Sequence, residues 1–214
     1  MTVGRVMTKN PLFTHPDMSV NEVRSLMDKE KVGHLPVLDK NNNLVGLVTR
    51  EDLIKAGPSA ATSLDMYEIS YLLSKMTVKD VMEKNVVTAE ENEVVEEAAR
   101  IMADKGIGCL PVMRGKLLVG IITDSDLFHV FVNAFGARHQ GVRITCNIKE
   151  KPGQVAKLSQ AIAEHGGNIV AFIAFEGDDL SSRRVTVKIA GLKRTEVETL
   201  VRDFPDMELE DIRE

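Results

Sequence analysis

The stretch Gly46-Leu47-Val48-Thr49-Arg50-Glu51-Asp52 recurs as Gly120-Ile121-Ile122-Thr123-Asp124-Ser125-Asp126, with glycine, threonine and aspartate at the same places. In each copy an apolar run ends at the threonine and a short helical pattern follows, which predicts a helix start there. Such a start suits a phosphate, and an aspartate three residues later can accept hydrogen bonds from ribose hydroxyls. The same spacing also fits a capping box, in which both side chains serve only the backbone. The motif alone leaves both interpretations open.

The duplication extends well beyond this motif. The segment Thr2–Met7 matches Thr77–Met82, and Gly33–Val37 matches Gly108–Val112. Turn-rich residues separate two apolar runs in each copy, and a helical stripe precedes them, so each repeat is predicted to be a β-α-β-β-α unit. With the motif and its flanks both repeated, the nucleotide interpretation of Thr49 and Asp52 becomes the favoured one, and a capping role is compatible with it.

These patterns divide the chain into five predicted segments. They are repeat one at 1–58, a linker helix at 59–76, repeat two at 77–135, a short linker at 136–141 and a third region at 142–214. The linker helix is predicted from Met66, Ile69, Leu72 and Leu73, which recur at helical spacing.

The region from Val142 onward does not repeat the motif. It begins with a strand of alternating apolar residues, and Gly153 then opens a helix whose Val155, Leu158 and Ile162 are expected to face inward. Two strands, a helix and a final strand follow, which gives the order β-α-β-β-α-β. That order predicts a ferredoxin-like sandwich, so the whole chain is expected to be α/β.

Composition narrows the classes of function. The 214 residues carry a formal net charge of −5 without a long run of lysine or arginine, which disfavours nucleic acid and anionic membranes as partners. We find neither a signal-like apolar segment nor a run long enough to span a bilayer, so a cytoplasmic location is expected.

The sequence offers few candidates for reactive or metal-binding residues. Cys109 and Cys146 stand singly, so they are predicted to be buried small residues and no metal site is expected. None of the five histidines lies in a recognisable catalytic motif, and no phosphate-binding Walker loop occurs.

The duplicated motif, with a Leu-Pro-Val sequence upstream of each copy, resembles a pair of CBS domains. This resemblance implies a disc with two clefts that bind AMP, ADP, ATP or S-adenosylmethionine as regulatory ligands. It assigns the ribose to Asp52 and Asp126 and the phosphates to Thr49 and Thr123. It also implies that the adenine edge is bound by the backbone around two matching segments: His34, Leu35 and Pro36, and Cys109, Leu110 and Pro111. Thr14 and Thr88 are implied to close the two clefts.

The third region is similar to ACT domains, small regulatory modules that often bind amino acids. The resemblance depends on Glu150-Lys151-Pro152-Gly153 followed by Gly166-Gly167-Asn168-Ile169. It implies an amino-acid site at Gly153 and Asn168 or a dimer interface. A glycine-rich helix start and stop would explain the same residues without a ligand.

The order of the three domains is similar to the bacterial acetoin-utilisation protein B family. This resemblance implies a regulatory protein in acetoin or acetate metabolism. Because no catalytic motif is found, we expect a non-catalytic sensor that acts with a metabolic enzyme as its partner, and the apolar linker helix with the ACT-like sheet predicts a homodimer. The alternative is a scaffold that regulates an enzyme through its surfaces without a ligand. If nucleotide binds, the cation of Arg50 next to Thr49 predicts that phosphates prefer the first cleft, because Asp124 follows Thr123 in the second.

Overall fold

A computed structural model describes residues 1–56, 65, 67–68, 71, 75–177 and 181–214. The chain divides into two compact units, Met1–Leu127 and Phe128–Glu214. Among the described residues, no helix combines the length and the apolar character needed to cross a membrane. The predicted linker helix falls largely outside the described residues, and the five predicted segment boundaries stay predictions.

Helices and strands of the first unit follow the predicted repeat. The helices are α1 (Val3–Val6), α2 (Val20–Glu30), α3 (Arg50–Lys55), α4 (Val78–Val81), α5 (Val95–Lys105) and α6 (Asp124–Ala134), the last of which continues into the second unit. The strands are β1 (Thr8–Lys9), β2 (His34–Leu38), β3 (Leu44–Thr49), β4 (Ala89–Glu90), β5 (Cys109–Arg114) and β6 (Leu117–Thr123).

Each repeat contains an antiparallel hairpin flanked by a parallel segment. In repeat one β2 pairs with β3, and Thr14 forms a parallel bridge with Val37. In repeat two β5 pairs with β6, and β4 runs parallel to β5 with Ala89 opposite Val112. The predicted β-α-β-β-α order is therefore present in both copies.

The N-terminal segment of each repeat packs on the other repeat. Strand β1 pairs with β6, where Thr8 lies opposite Ile121, while Glu83 bridges Leu47 on β3. Accordingly Val3 is buried in the core of repeat two, and Val78 is buried in the core of repeat one. The repeat pattern in the sequence did not indicate this exchange, which joins both repeats into one unit.

The glycine that both motifs share has a steric cause in this exchange. A β-carbon added to Gly46 would lie 2.4 Å from the sulfur of Met82, and one added to Gly120 would lie 2.2 Å from the sulfur of Met7. Any larger residue in these strands would displace the methionine that the other repeat supplies. Gly46 with Met82 and Gly120 with Met7 are thus two equivalent contacts, each between one repeat and the other.

The second unit contains the predicted ferredoxin-like order. Its elements are β7 (Val142–Lys149), α7 (Gln154–Glu164), β8 (Asn168–Glu176), β9 (Ser182–Ala190), α8 (Arg194–Asp203) and β10 (Met207–Arg213). The sheet order is β10-β7-β9-β8, with every neighbouring pair antiparallel. Both helices contribute to a single apolar core with the strands, which includes Ile144, Leu158 and Leu200.

One inward-facing residue of α7 was predicted wrongly. Val155 is 43% exposed, whereas Gln154, Leu158 and Ile162 are buried. Residues four positions apart share a helix face, so the buried stripe begins one residue earlier than the apolar pattern indicated. A polar glutamine therefore occupies a core-facing position that sequence reasoning gave to valine.

Candidate functional site

The first Thr-x-x-Asp motif forms a complete capping box. Thr49 Oγ1 donates to Asp52 Oδ2 at 2.7 Å and accepts from the Asp52 N–H at 3.2 Å. The N–H of Thr49 donates to the same Oδ2 at 2.9 Å. Among the described residues, these bonds use only one carboxylate oxygen of Asp52. The capping interpretation is thus correct in geometry, and the second oxygen, Oδ1, remains available for a ligand.

The second motif repeats this geometry at the start of α6. The N–H and hydroxyl of Thr123 donate to Asp126 Oδ2 at 2.8 and 2.9 Å. The backbone fixes both helix starts in the same way, because Arg50 N–H donates to the Gly33 carbonyl and Asp124 N–H to the Gly108 carbonyl. The two copies are therefore structurally equivalent at the backbone.

Two neighbouring cavities open beside these helix starts. The larger, here called the Asp52 cavity, has a volume of about 580 Å³. It is lined by Gly33, His34, Leu47, Thr49, Arg50, Glu51, Asp52, Ile54, Glu83, Asn85, Val86, Val87, Gly106, Ile107, Gly108 and Cys109. Because segment 83–87 arrives through the exchange, both repeats build this cavity.

The second cavity, here called the Thr123 cavity, has a volume of about 390 Å³. It is lined by Thr8, Asn10, Pro11, Leu12, Lys31, Val32, Gly33, His34, Ile121, Thr123, Asp124 and Ser125. Asp126 is not among its lining residues, in contrast to Asp52 in the larger cavity. The pair of cavities is thus unequal in size and in the placement of the motif aspartate.

His34 lines both cavities. It begins β2 opposite Thr49, and its side chain is half-buried. A β-carbon built on Gly108 would lie 3.5 Å from His34 Nε2 and 3.6 Å from Asp124 Oδ2, so the imidazole reaches the second helix start. Burial lowers the pKa of His34, although Asp124 and Asp52 oppose that shift. The neutral imidazole is therefore favoured near neutral pH.

Arg50 is directed to a different partner from the one that the sequence suggested. Its Nη1 lies 2.5 Å from Asp28 Oδ1, and Nη2 donates to the carbonyls of Met27 at 3.4 Å and Val32 at 3.3 Å. The guanidinium thus satisfies the end of α2 and pairs with a carboxylate. Its charge is largely compensated before any ligand arrives, although Arg50 still lines the Asp52 cavity.

Several predicted cleft residues lie outside both cavities. Thr14 is buried, and its hydroxyl contacts the sulfur of Met18 at 3.1 Å. Thr88 lines a separate depression with Lys84 and Lys116. The remaining predicted adenine residues outside the two cavities are Leu35, Pro36, Leu110 and Pro111, all of which are buried in β2 or β5. Their roles toward a ligand stay predictions.

The cysteines behave as the sequence predicted. Both are buried, and burial raises the pKa of Cys109 and of Cys146 to about 12. A thiol with such a pKa carries very little thiolate at neutral pH and is a poor nucleophile or metal ligand. In the described part of the chain no group of histidine, cysteine, aspartate and glutamate is arranged to hold a metal ion.

The two residues proposed for an amino-acid ligand are separated in the second unit. Gly153 precedes α7 with φ of +88°, and Asn168 begins β8 after that helix. They lie at opposite ends of α7, whose 11 residues span about 16 Å. The amino-acid site at Gly153 and Asn168 stays a prediction.

Sequence reasoning missed the cavity walls that the exchange supplies. Thr8, Asn10 and Lys31 line the Thr123 cavity, while Glu83 and Asn85 line the Asp52 cavity. The only signal was the repeated Thr2–Met7 pattern, which marks a duplicated element without saying where it packs. The placement of these wall residues depends on strand pairing between distant parts of the chain, which the pattern does not reveal.

Comparison with known proteins places this geometry in a family. The family profile of the CBS domain matches residues 3–59 and 78–133. Among curated proteins, the chain is 30% identical over 130 residues to L-aspartate semialdehyde sulfurtransferase from Methanocaldococcus jannaschii. The match covers 60% of this chain, which spans only 23% of the length of that relative.

Three solved structures resemble the chain over the repeats. A structure assigned to an acetoin utilization protein (AcuB) from Vibrio cholerae is 30% identical with a TM-score of 0.54, covering 64% of this chain and 95% of that one. The CBS domain pair of protein MJ0100, in complex with 5′-methylthioadenosine and S-adenosyl-L-methionine, is 28% identical with a TM-score of 0.52, covering 65% and 98%. The AMP complex of CBSX2 is 31% identical with a TM-score of 0.50, covering 61% and 96%. The ACT resemblance of the third region stays a prediction.

Proposed function

We propose that this chain, which belongs to the CBS-domain family, is a non-catalytic regulatory protein that binds an adenosine-containing ligand in the cavities of its first unit. One observation carries the proposal: a Thr-x-x-Asp helix start opens onto a cavity of about 580 Å³ beside a second cavity of about 390 Å³. Both volumes lie in the range of about 300–1,000 Å³ that small-molecule sites occupy. Similar CBS pairs have been solved with AMP or with 5′-methylthioadenosine and S-adenosylmethionine.

Asp52 is the proposed ribose ligand of the larger cavity. Its Oδ2 is held by the capping box, which fixes the carboxylate in place. The remaining oxygen can accept a charge-assisted hydrogen bond, and such bonds contribute about 1.5–3 kcal/mol. The capping box and the binding site are therefore compatible uses of the same side chain, because each uses a different oxygen.

Charge in the walls favours ligands with few phosphates. Glu51, Asp52 and Glu83 line the larger cavity, and its one arginine is paired with Asp28. A triphosphate there would meet carboxylates at close range, whereas AMP brings less negative charge and S-adenosylmethionine carries a sulfonium cation. We therefore place AMP or S-adenosylmethionine ahead of ADP and ATP, which reverses the expectation drawn from Arg50 in the sequence.

Thermal unfolding with a ligand panel tests the proposal. A ligand at 100 times its dissociation constant adds about 2.7 kcal/mol to the free energy of unfolding. We expect AMP, 5′-methylthioadenosine or S-adenosylmethionine to raise the melting temperature of the full chain, and guanosine monophosphate to serve as the matched control. A melting temperature unchanged by every adenosine compound at millimolar concentration would contradict the proposed function.

The physiological setting is a second part of the proposal. The resemblance to an acetoin utilization protein supports a cytoplasmic role in acetoin or acetate metabolism, in which the chain regulates an enzyme partner.

Exposed aromatic residues in the second unit support a homodimer: Phe128 and Phe131 are 67% and 55% exposed. Light scattering at micromolar concentration checks this, and a mass of 23.6 kDa that does not change with concentration would contradict the dimer.

A further inference from the structure

Within the described part of the chain, the linings of the two cavities share only Gly33 and His34. Glycine has no side chain, so among the described lining residues only His34 brings a side chain to a position between the two cavities. In the second repeat the equivalent position is Cys109, which is buried and lines only the Asp52 cavity. The duplicated repeat therefore gives the first unit two cavities, but a histidine occupies this position in only one of the two copies.

Carboxylates flank this imidazole from both sides. Asp124 Oδ2 and His34 Nε2 lie near the same point beside Gly108, and Asp52 belongs to the other cavity wall. Both aspartates favour the imidazolium, whereas burial disfavours it more strongly and lowers the pKa of His34. A modest additional negative charge near the ring would shift this balance toward protonation.

We propose that His34 is a specificity-determining residue shared by both cavities, which takes up one proton when a phosphate-bearing adenosine ligand binds and none when the ligand lacks phosphate. The inference depends on the proposed function. His34 lies opposite Thr49 and beside Asp124, so it stands next to both helix starts to which the phosphates are assigned. A phosphate bound there would add the negative charge that stabilises the imidazolium, and it would receive a charge-assisted hydrogen bond in return. Because a single imidazole serves both cavities, one protein chain takes up at most one such proton, whether one or two nucleotides bind.

Other charged groups surround the ring without carrying this response. The lining contributes carboxylates and cations from the ends of α2, α3 and α6 and from the exchanged segment: Lys31, Arg50, Glu51, Asp52, Glu83 and Asp124. Histidine is the only side-chain type whose ordinary pKa lies between pH 5 and 8. Burial raises the pKa of the Cys109 thiol to about 12, so that side chain does not replace it.

Calorimetric titration measures the proton directly. AMP and 5′-methylthioadenosine are titrated into the full chain at pH 7.0 in buffers with different ionisation enthalpies, for the wild type and for His34→Gln. The second pKa of a phosphate is about 6, so roughly one-tenth of free AMP is monoprotonated at pH 7.0, and binding of the dianion releases that small fraction of a proton in the wild type and in the variant alike. We expect an additional uptake approaching one proton per chain for AMP in the wild type only, and no uptake with 5′-methylthioadenosine.

The pH dependence of affinity provides an independent readout. The wild-type affinity for AMP is expected to fall by up to about tenfold per pH unit above neutrality, as linkage to one proton requires, with a shallower fall in His34→Gln. Equal uptake by both proteins, equal uptake with both ligands, or two additional protons per chain would overturn the inference while leaving adenosine binding intact. Binding of neither ligand by the wild type would overturn the proposed function itself. A circular dichroism spectrum and a cooperative urea transition like those of the wild type show that His34→Gln is folded, and the wild-type comparison of the two ligands stands without the variant.

Discussion

The sulfur of Met7 occupies the position where a side chain of residue 120 would begin, since a β-carbon added to Gly120 would lie 2.2 Å from it. Met7 comes from the segment that repeat one contributes to repeat two, and it is almost fully buried. The same relationship joins Met82 to Gly46 in the other direction. These contacts hold the exchanged segments that complete the cavity walls.

Gly120→Ala is expected to lower the free energy of unfolding by about 1–3 kcal/mol, because the added methyl group overpacks a filled core. Urea unfolding measures the change, and Gly33→Ala is the control, since nothing lies within 4 Å of a β-carbon there. In a Met7→Ala background the cost of Gly120→Ala should disappear, as a double-mutant cycle shows. Equal costs of Gly120→Ala in both backgrounds would contradict the contact.

Arg50→Ala is expected to lower the free energy of unfolding by less than about 1 kcal/mol, because its pair with Asp28 is half-exposed. Asp28→Ala should cause a similar loss, and the two losses should not add. Since the guanidinium is already paired, removing it should change the affinities for ATP and adenosine to the same extent. A selective loss of ATP binding in calorimetric titration would show instead that Arg50 contacts phosphate.

His34 is expected to contribute to the loss of folding stability of the ligand-free protein at acid pH. Its pKa is lowered by burial, so the unfolded chain binds the proton more readily than the native state does. The free energy of unfolding therefore falls as the pH drops below about 6.5 toward the lowered value, and it is recovered at higher pH. Urea unfolding at pH 7.5 and 5.5 should show a smaller acid loss for His34→Gln than for the wild type. Equal losses would mean that the imidazole does not contribute.

Local patterns predicted the elements of the fold and the helix starts of the site. The capping box at Thr49 depends on residues three apart, and the ferredoxin-like order depends on periodicities within each segment, so a single sequence contains both signals. The pairing of the Arg50 guanidinium with Asp28 was not predictable, because Asp28 lies near the end of another helix. The exchange of the two N-terminal segments was missed for the same reason, since β1 has two residues and only its distant partner β6 determines where it lies.

The capping boxes in this chain offer a matched control for the central claim. Thr77 and Asp80 make two of the same bonds at the start of α4, with Thr77 N–H and hydroxyl donating to Asp80 Oδ2 at 2.9 and 2.7 Å. Asp80 lines neither cavity, whereas Asp52 lines the larger one. A residue that serves only the backbone is therefore available beside one proposed to bind ribose.

Calorimetric titration of AMP, 5′-methylthioadenosine and S-adenosylmethionine into the wild type, Asp52→Ala and Asp80→Ala tests the claim most directly. We predict that at least one compound binds the wild type and Asp80→Ala with the same affinity. Asp52→Ala should bind that compound about 10- to 150-fold more weakly, as the loss of a charge-assisted hydrogen bond to ribose requires. Equal affinity in the wild type and Asp52→Ala, or no binding of any of the three compounds, would contradict an adenosine site in the Asp52 cavity.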